Sequence, residues 1–159
     1  MDKGQKEKLS SVLSGVAGEY SVAAELSKRG LLASITLRNT KGVDILCSNA
    51  EATKAVGIQV KTNRGSARDW ILHQKAEDYF ANNLFYVFVN LNHNKQPPDF
   101  FIVPSKVVAK HAKTGHTNWL GTTRKDGKPH KDNNMRKFKD LEEKYRSRWD
   151  LLGLDPASL

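Results

Sequence analysis

The chain has 159 residues, 38% of them hydrophobic and 27% charged, with a formal net charge of +9. That length and balance suit one domain spanning residues 1–159 and exclude a disordered polyelectrolyte, because enough apolar surface is present to bury a core. No apolar run nears the roughly 18 residues of a membrane span, and a lone cysteine, Cys47, excludes both a disulfide framework and a thiolate zinc site.

The opening MDKGQKEKLSS is charged and lacks the apolar core of a secretion signal, so a cytoplasmic chain is expected. From about residue 5 to residue 29, Leu9, Val12, Leu13, Val16, Tyr20, Ala23, Ala24 and Leu26 recur at three- and four-residue spacings, which predicts a helix that Gly30 terminates. At about 100° per residue, Val12, Ala23 and Leu26 fall within about 40° of Glu19, so Glu19 is expected inside the apolar stripe and Glu25 toward water.

LLASITLR (31–38), VDILCS (43–48) and AVGIQVKT (55–62) read as three strands joined by short turn-rich connections, an antiparallel meander. Strand side chains alternate, so Gln59 and Lys61 share one face of the third strand while Val56, Ile58 and Val60 share the other. Asp44 is expected within the second strand, where an acid is disfavoured unless something pairs with it. A helix is expected over 72–82, then a fully buried strand in LFYVFVNL (84–91), parallel to the third because of the crossover. FFIVP reads as a short strand, Ser105 as the N-cap of a helix over KVVAKHAKT, residues 115–134 as an extended loop, and 135–149 as an amphipathic segment. The core thus covers about 10–113, followed by a basic loop and helix extension over about 114–150. Residues 105–149 carry 13 Lys/Arg against 5 Asp/Glu, so most of the positive excess lies there.

Asp44, Gln59, Lys61 and Glu19 converge on one place, and the set suits carboxylate and carbonyl oxygens around a hard cation with a lysine beside it, as phosphodiester hydrolysis requires. Each residue taken singly also fits a buried ion pair, Lys61 with Asp44 or Glu19, beside a hydrogen-bonded Gln59. Two histidines five apart, His111 and His116, miss the spacing of helical zinc ligands.

Glu19 on the first helix, GVDIL with Asp44, and QVK with Gln59 and Lys61 stand in an order and spacing that resembles the PD-(D/E)XK nuclease superfamily. That group includes restriction endonucleases, archaeal Holliday junction resolvases and some homing endonucleases. The resemblance spans roughly residues 10–92. It implies an α/β fold with a restriction endonuclease-like core, a mixed sheet of four to five strands flanked by helices. It also implies a Mg²⁺- or Mn²⁺-dependent endonuclease acting on DNA and often dimeric. By position, Asp44 matches the metal-ligating aspartate, Lys61 the lysine near the attacking water, Glu19 the helix glutamate of some branches, and Val60 the residue giving a backbone carbonyl. Val43 replaces the proline of the motif, and Gln59 replaces its second acid, which removes one negative charge from the metal set.

Arg64, Arg68 and Trp70 follow Lys61 at the strand end; the arginines are expected near phosphates, and Trp70 is expected to close the core rather than stack on a base. Arg124, Lys125, Lys128, Lys131, Arg136, Lys137 and Lys139 in the basic tail are expected to track a nucleic-acid backbone. A second reading keeps the fold and discards the chemistry: a catalytically silent DNA- or RNA-binding module, or a partner in a defence complex.

Overall fold

The computed structural model describes residues 10–37 and 41–155. Helix α1 (Ser11–Lys28) starts where Ser10 Oγ accepts the Leu13 N–H at 3.1 Å. It stops where Gly30 takes a φ of +79°. Gly30 N–H then donates to Ser27 C=O at 3.0 Å and Leu31 N–H to Leu26 C=O at 3.2 Å, closing the last turn as the glycine predicts.

β1 (Leu32–Ile35), β2 (Ile45–Ser48) and β3 (Ala55–Asn63) form the expected antiparallel meander. β5 (Leu84–Asn90) pairs parallel to β3, with Gln59 opposite Tyr86 and Lys61 opposite Phe88. β6 (Asp99–Pro104) returns antiparallel to β5, giving a five-stranded mixed sheet in the order β1-β2-β3-β5-β6. Every residue of β5 is buried, because both faces of the sheet are covered at its centre.

One face carries α1 and the segment around Leu152 and Leu154, over an aliphatic core that includes Leu26, Ile45, Ile58 and Val87. The other carries α2 (Ser105–Leu120) and a two-stranded ribbon of β4 (Asp69–His73) and β7 (Met135–Lys139), over an aromatic core. Trp70 closes that core: its indole N–H donates to the Val89 carbonyl at 3.2 Å, and its ring lies 5.0 Å from those of Phe88 and Phe101.

Four expectations are corrected. Residues 72–82 are not a helix: β4 is followed by a single 3₁₀ turn, Gln74–Glu77. Trp70 and Leu72 point inward while Ile71 and His73 point out, a period of two that is completed by pairing Trp70 with Phe138. Residues 135–149 are likewise not a helix, since β7 alternates, with Arg136 and Phe138 inside and Met135, Lys137 and Lys139 outside. Ser105 is the first helical residue rather than the cap, because its hydroxyl is taken by residue 81, donating to Ala81 C=O at 3.0 Å and accepting from Ala81 N–H at 3.1 Å. Helix α2 also continues through Gly115 to Leu120, which shortens the expected loop.

Candidate active site

Asp44 stands one residue before β2 yet holds its place in the ladder, its N–H donating to Ile58 C=O at 2.8 Å and its C=O accepting from Thr36 N–H at 2.9 Å. The β2–β3 register ends at Ile45–Ile58, so Asp44, whose N–H goes to the Ile58 carbonyl, lies at the end of that ladder, and on the other side of β3 Gln59 is opposite Tyr86. Gln59 and Tyr86 form one row across the sheet, with Lys61 one row further along β3 on the same face, and Asp44 is close enough to Tyr86 to act on its phenol.

The carboxylate has a defined backbone partner: Asp44 Oδ2 accepts the Val60 N–H at 2.7 Å. Alternation along β3 turns the Val60 N–H and C=O toward the β2 side, where the paired strand has ended. A carboxylate and a backbone carbonyl therefore meet at the same gap. Asp44, Gln59 and Lys61 are all half-buried, so water and solutes reach them.

Two tyrosines and a glycine that sequence reasoning missed shape this corner. Gly42 has a φ of +71°, and a Cβ there would lie 2.3 Å from Cζ of Tyr79, so only glycine allows the ring to pack over the turn leading into Asp44. Burial pushes the Tyr86 phenol up to about 12, with Tyr79 and Asp44 adding to the effect, so Tyr86 stays neutral beside the carboxylate. The only sequence signal was the hydroxyl-bearing residue inside the apolar run LFYVFV. Cys47 is buried and its thiol is pushed up to about 11, which removes it as a nucleophile at neutral pH.

Glu19 is placed differently from its expectation. The line of α1 that touches the sheet is Ser14, Gly18, Val22 and Leu26, while Val12 and Tyr20 are 59% and 64% exposed. Glu19 therefore lies about 80° around the helix from the centre of the contact line and is half-buried on its flank. Helix α1 covers the Val60 face, opposite the one from which Gln59 and Lys61 project. It meets β3 at Thr62, the residue after Lys61, where a Cβ on Gly18 would sit 1.9 Å from Thr62 Oγ1. The structure thus joins Asp44 directly to Val60, with Gln59 the preceding residue of β3, and brings α1, which carries Glu19, to the Lys61 end of β3 from the other side. Among the described residues no three His, Cys, Asp or Glu side chains gather around one point, so any cation here would rest on mixed carboxylate, amide and carbonyl oxygens.

The expected nucleic-acid contacts divide. Arg136 is buried, bound to Glu77 and donating to Asn133 C=O at 2.6 Å, a structural role its sequence setting did not reveal. Arg68 pairs with Glu143 and lies over the Phe101 ring at 5.4 Å. Arg64 is half-buried in the β3–β4 connection. Lys125, Lys128 and Lys131 are exposed, as is Arg124, paired with Asp126 at 3.2 Å. Lys137 is exposed on β7 and reaches Asp69 at 2.8 Å.

No family model and no curated protein matches the chain. Among solved structures it is similar to the bacterial homing endonuclease I-Ssp6803I, at 14% identity and a TM-score of 0.55, over 92% of this chain and 94% of that one. It also aligns with Hjc, a Holliday junction resolvase of the archaeal hyperthermophile Archaeoglobus fulgidus, at 13% identity and a TM-score of 0.47, over 79% and 84% of the two chains. The chain has the restriction endonuclease-like fold.

Proposed function

We propose that the protein is a divalent-metal-dependent endonuclease that hydrolyses phosphodiester bonds of DNA. The observation that carries this is the Asp44 carboxylate, seated on the Val60 N–H at the open end of β2, beside Gln59 and one row from Lys61. The fold it shares with a homing endonuclease supports the same reading.

The donor set fits a hard cation such as Mg²⁺ or Mn²⁺. Asp44 Oδ1, the Val60 carbonyl and the Gln59 amide oxygen are all oxygen donors, and neither sulfur nor imidazole takes part. A bound cation would supply Lewis-acid stabilisation of charge on the scissile phosphate. The residues of the chain do the rest. Lys61 orients the attacking water by hydrogen bonding and offsets phosphate charge, while the Val60 N–H fixes the orientation of the Asp44 carboxylate. Gln59, being neutral, leaves the site one negative charge short of a two-acid set, so weaker metal affinity is expected. Under this proposal Glu19 reaches the site around the Lys61 end of β3, from the opposite face of the sheet, and two such subunits would serve the two cuts of a duplex.

The test is cleavage of plasmid, linear duplex and branched DNA with Mg²⁺ or Mn²⁺, wild type beside Lys61→Ala. Cleavage by the wild type that disappears in the variant supports the proposal, and equal cleavage by both sinks it. The absence of a three-residue His, Cys, Asp or Glu cluster among the described residues favours one second reading, a nuclease fold that binds DNA without cutting it. Salt-sensitive binding with no cleavage under any metal would select that reading.

A further inference from the structure

Away from Asp44, a groove of about 300 Å³ lies between α2 and β7, lined by His111, Gly115 and Trp119 of the helix and Met135, Lys137 and Lys139 of the strand, among others. No carboxylate lines it. The three helix residues recur at intervals of four, so they form a stripe that α2 does not use to pack on the sheet, where Val108, Ala109 and Ala112 are buried instead. Lys137 and Lys139 share the outward face of the ribbon with Met135, which is 51% exposed.

The groove is built rather than incidental. His111 Nε2 accepts the Lys139 N–H at 3.2 Å, tying helix to strand. The Trp119 ring has His116 at 5.4 Å and His130 at 4.1 Å, and His116 also meets Asp132 at 2.7 Å. These contacts bring the 121–134 turn, with Arg124 N–H bonded to Lys128 C=O at 2.8 Å, to the mouth of the groove. Arg124, Lys125, Lys128 and Lys131 of that turn are exposed. Ribbon and α2 both lie on the sheet face from which Gln59 and Lys61 project.

We infer that this groove holds the sugar-phosphate backbone of a DNA strand, with phosphates on Lys137 and Lys139 and a base or sugar edge against His111 and Trp119. The inference rests on the nuclease reading for its choice of polyanion, keeps the expected role of Lys137 and Lys139, and adds the α2 groove residues His111 and Trp119, which the sequence pattern had not assigned to a nucleic acid. Aromatic and imidazole surface gives a sequence-tolerant platform, and cations at the rim give the electrostatic contribution of a backbone-tracking site. The exposed Lys137–Asp69 pair does not oppose this, because such surface pairs are weak and exchange readily for a phosphate.

The test is fluorescence anisotropy with the full chain and labelled 25-mer DNA, duplex and single-stranded, in chelator so that nothing is cut. Lys137→Ala/Lys139→Ala is expected to weaken binding at least tenfold at low salt and to reduce the slope of log affinity against log salt by about 2. A Cβ at Gly115 meets open space, so Gly115→Phe can be accommodated, fills the groove and is expected to weaken binding at least fivefold at an unchanged salt slope. Quenching of Trp119 emission by DNA, lost in Trp119→Phe, gives a readout independent of affinity. Circular dichroism checks the fold of each variant, and Lys139→Glu replaces any that fails. Wild-type affinity and slope in both the lysine pair and Gly115→Phe would overturn the inference, as would a wild type that binds neither probe. The duplex and single-stranded arms decide which form of DNA the groove prefers. A chain that cuts nothing yet loses binding in these variants keeps the groove and loses the nuclease proposal; a chain that cuts with unaffected groove variants does the reverse.

Discussion

Helix α1 approaches β3 more closely than any side chain at position 18 allows, and Gly18→Ala measures what that contact is worth. The added Cβ would lie 1.9 Å from Thr62 Oγ1, 3.0 Å from its Cβ and 3.1 Å from its Cγ2, so rotating Thr62 cannot clear the space. The helix must lift by about 1 Å to restore ordinary contact distances. A contact this short puts overpacking at the upper end of its usual range, about 2–3 kcal/mol, and replacing a helical glycine by alanine returns about 1 kcal/mol. The net expectation is a loss of about 1–2 kcal/mol, read in urea denaturation, or a fall in Tm of about 3–7 °C for a chain of this size. Thr62→Ala in the same background removes Oγ1 and Cγ2, the atoms in the way, and should recover about 1 kcal/mol. Because Glu19 is the next residue, lifting α1 also displaces that carboxylate, and under the nuclease proposal cleavage should fall by up to about 10²-fold. A Gly18→Ala protein as stable as wild type, or one whose loss does not couple to Thr62→Ala, would refute the reasoning.

Other perturbations follow from the same geometry. Gly42→Ala combines a φ of +71° with a Cβ 2.3 Å from Cζ of Tyr79, so it should destabilise by about 2 kcal/mol or more in chemical denaturation and disturb the turn that carries Asp44. Asp44→Asn keeps an oxygen acceptor for the Val60 N–H and should stay within about 1 kcal/mol of wild type in urea while losing metal-dependent cleavage; Asp44→Ala should cost more, since it removes that acceptor. Alkaline pH should destabilise the fold: burial raises Cys47 from 9.0 to about 11 and Tyr86 from 10.0 to about 12, so the unfolded chain ionises first. Each group's contribution is complete below its unfolded value and is lost as pH rises, for Cys47 between about 9 and 11 and for Tyr86 between about 10 and 12. Tm measured from pH 8 to 11 should fall less steeply in Cys47→Ala than in wild type.

The parts of the fold legible in the sequence are those made by near neighbours. Helix α1 and its Gly30 stop, the β1-β2-β3 meander and the apolar β5 all follow from spacings within a dozen residues. The link between Asp44 and Val60 belongs to the same class, because β2 and β3 are joined by a short turn and pair antiparallel. The resemblance to restriction endonuclease-like proteins rested on that stretch, and the fold agrees with it.

What the tertiary structure decided are the contacts between distant segments. Trp70 and Phe138 meet across 68 residues, and neither the β4 nor the β7 stretch shows its strand period strongly enough without the other. The fate of charges was equally hidden: Arg136 reads as a member of a basic run, and only folding against Glu77 removes it from the surface while Lys137 and Lys139 stay outside. Helix α1 gives the same lesson from the apolar side. Its hydrophobic stripe centres near Glu19, but the contact line runs through Ser14 and Gly18, because the smallest side chains allow the closest approach and dispersion rewards proximity over hydropathy. The local pattern thus determined α1, the β1-β2-β3 meander, β5 and the face of β3 that Gln59 and Lys61 share. The packing of remote elements determined which side chains stayed available to a ligand, since burial depends on neighbours the chain brings from elsewhere.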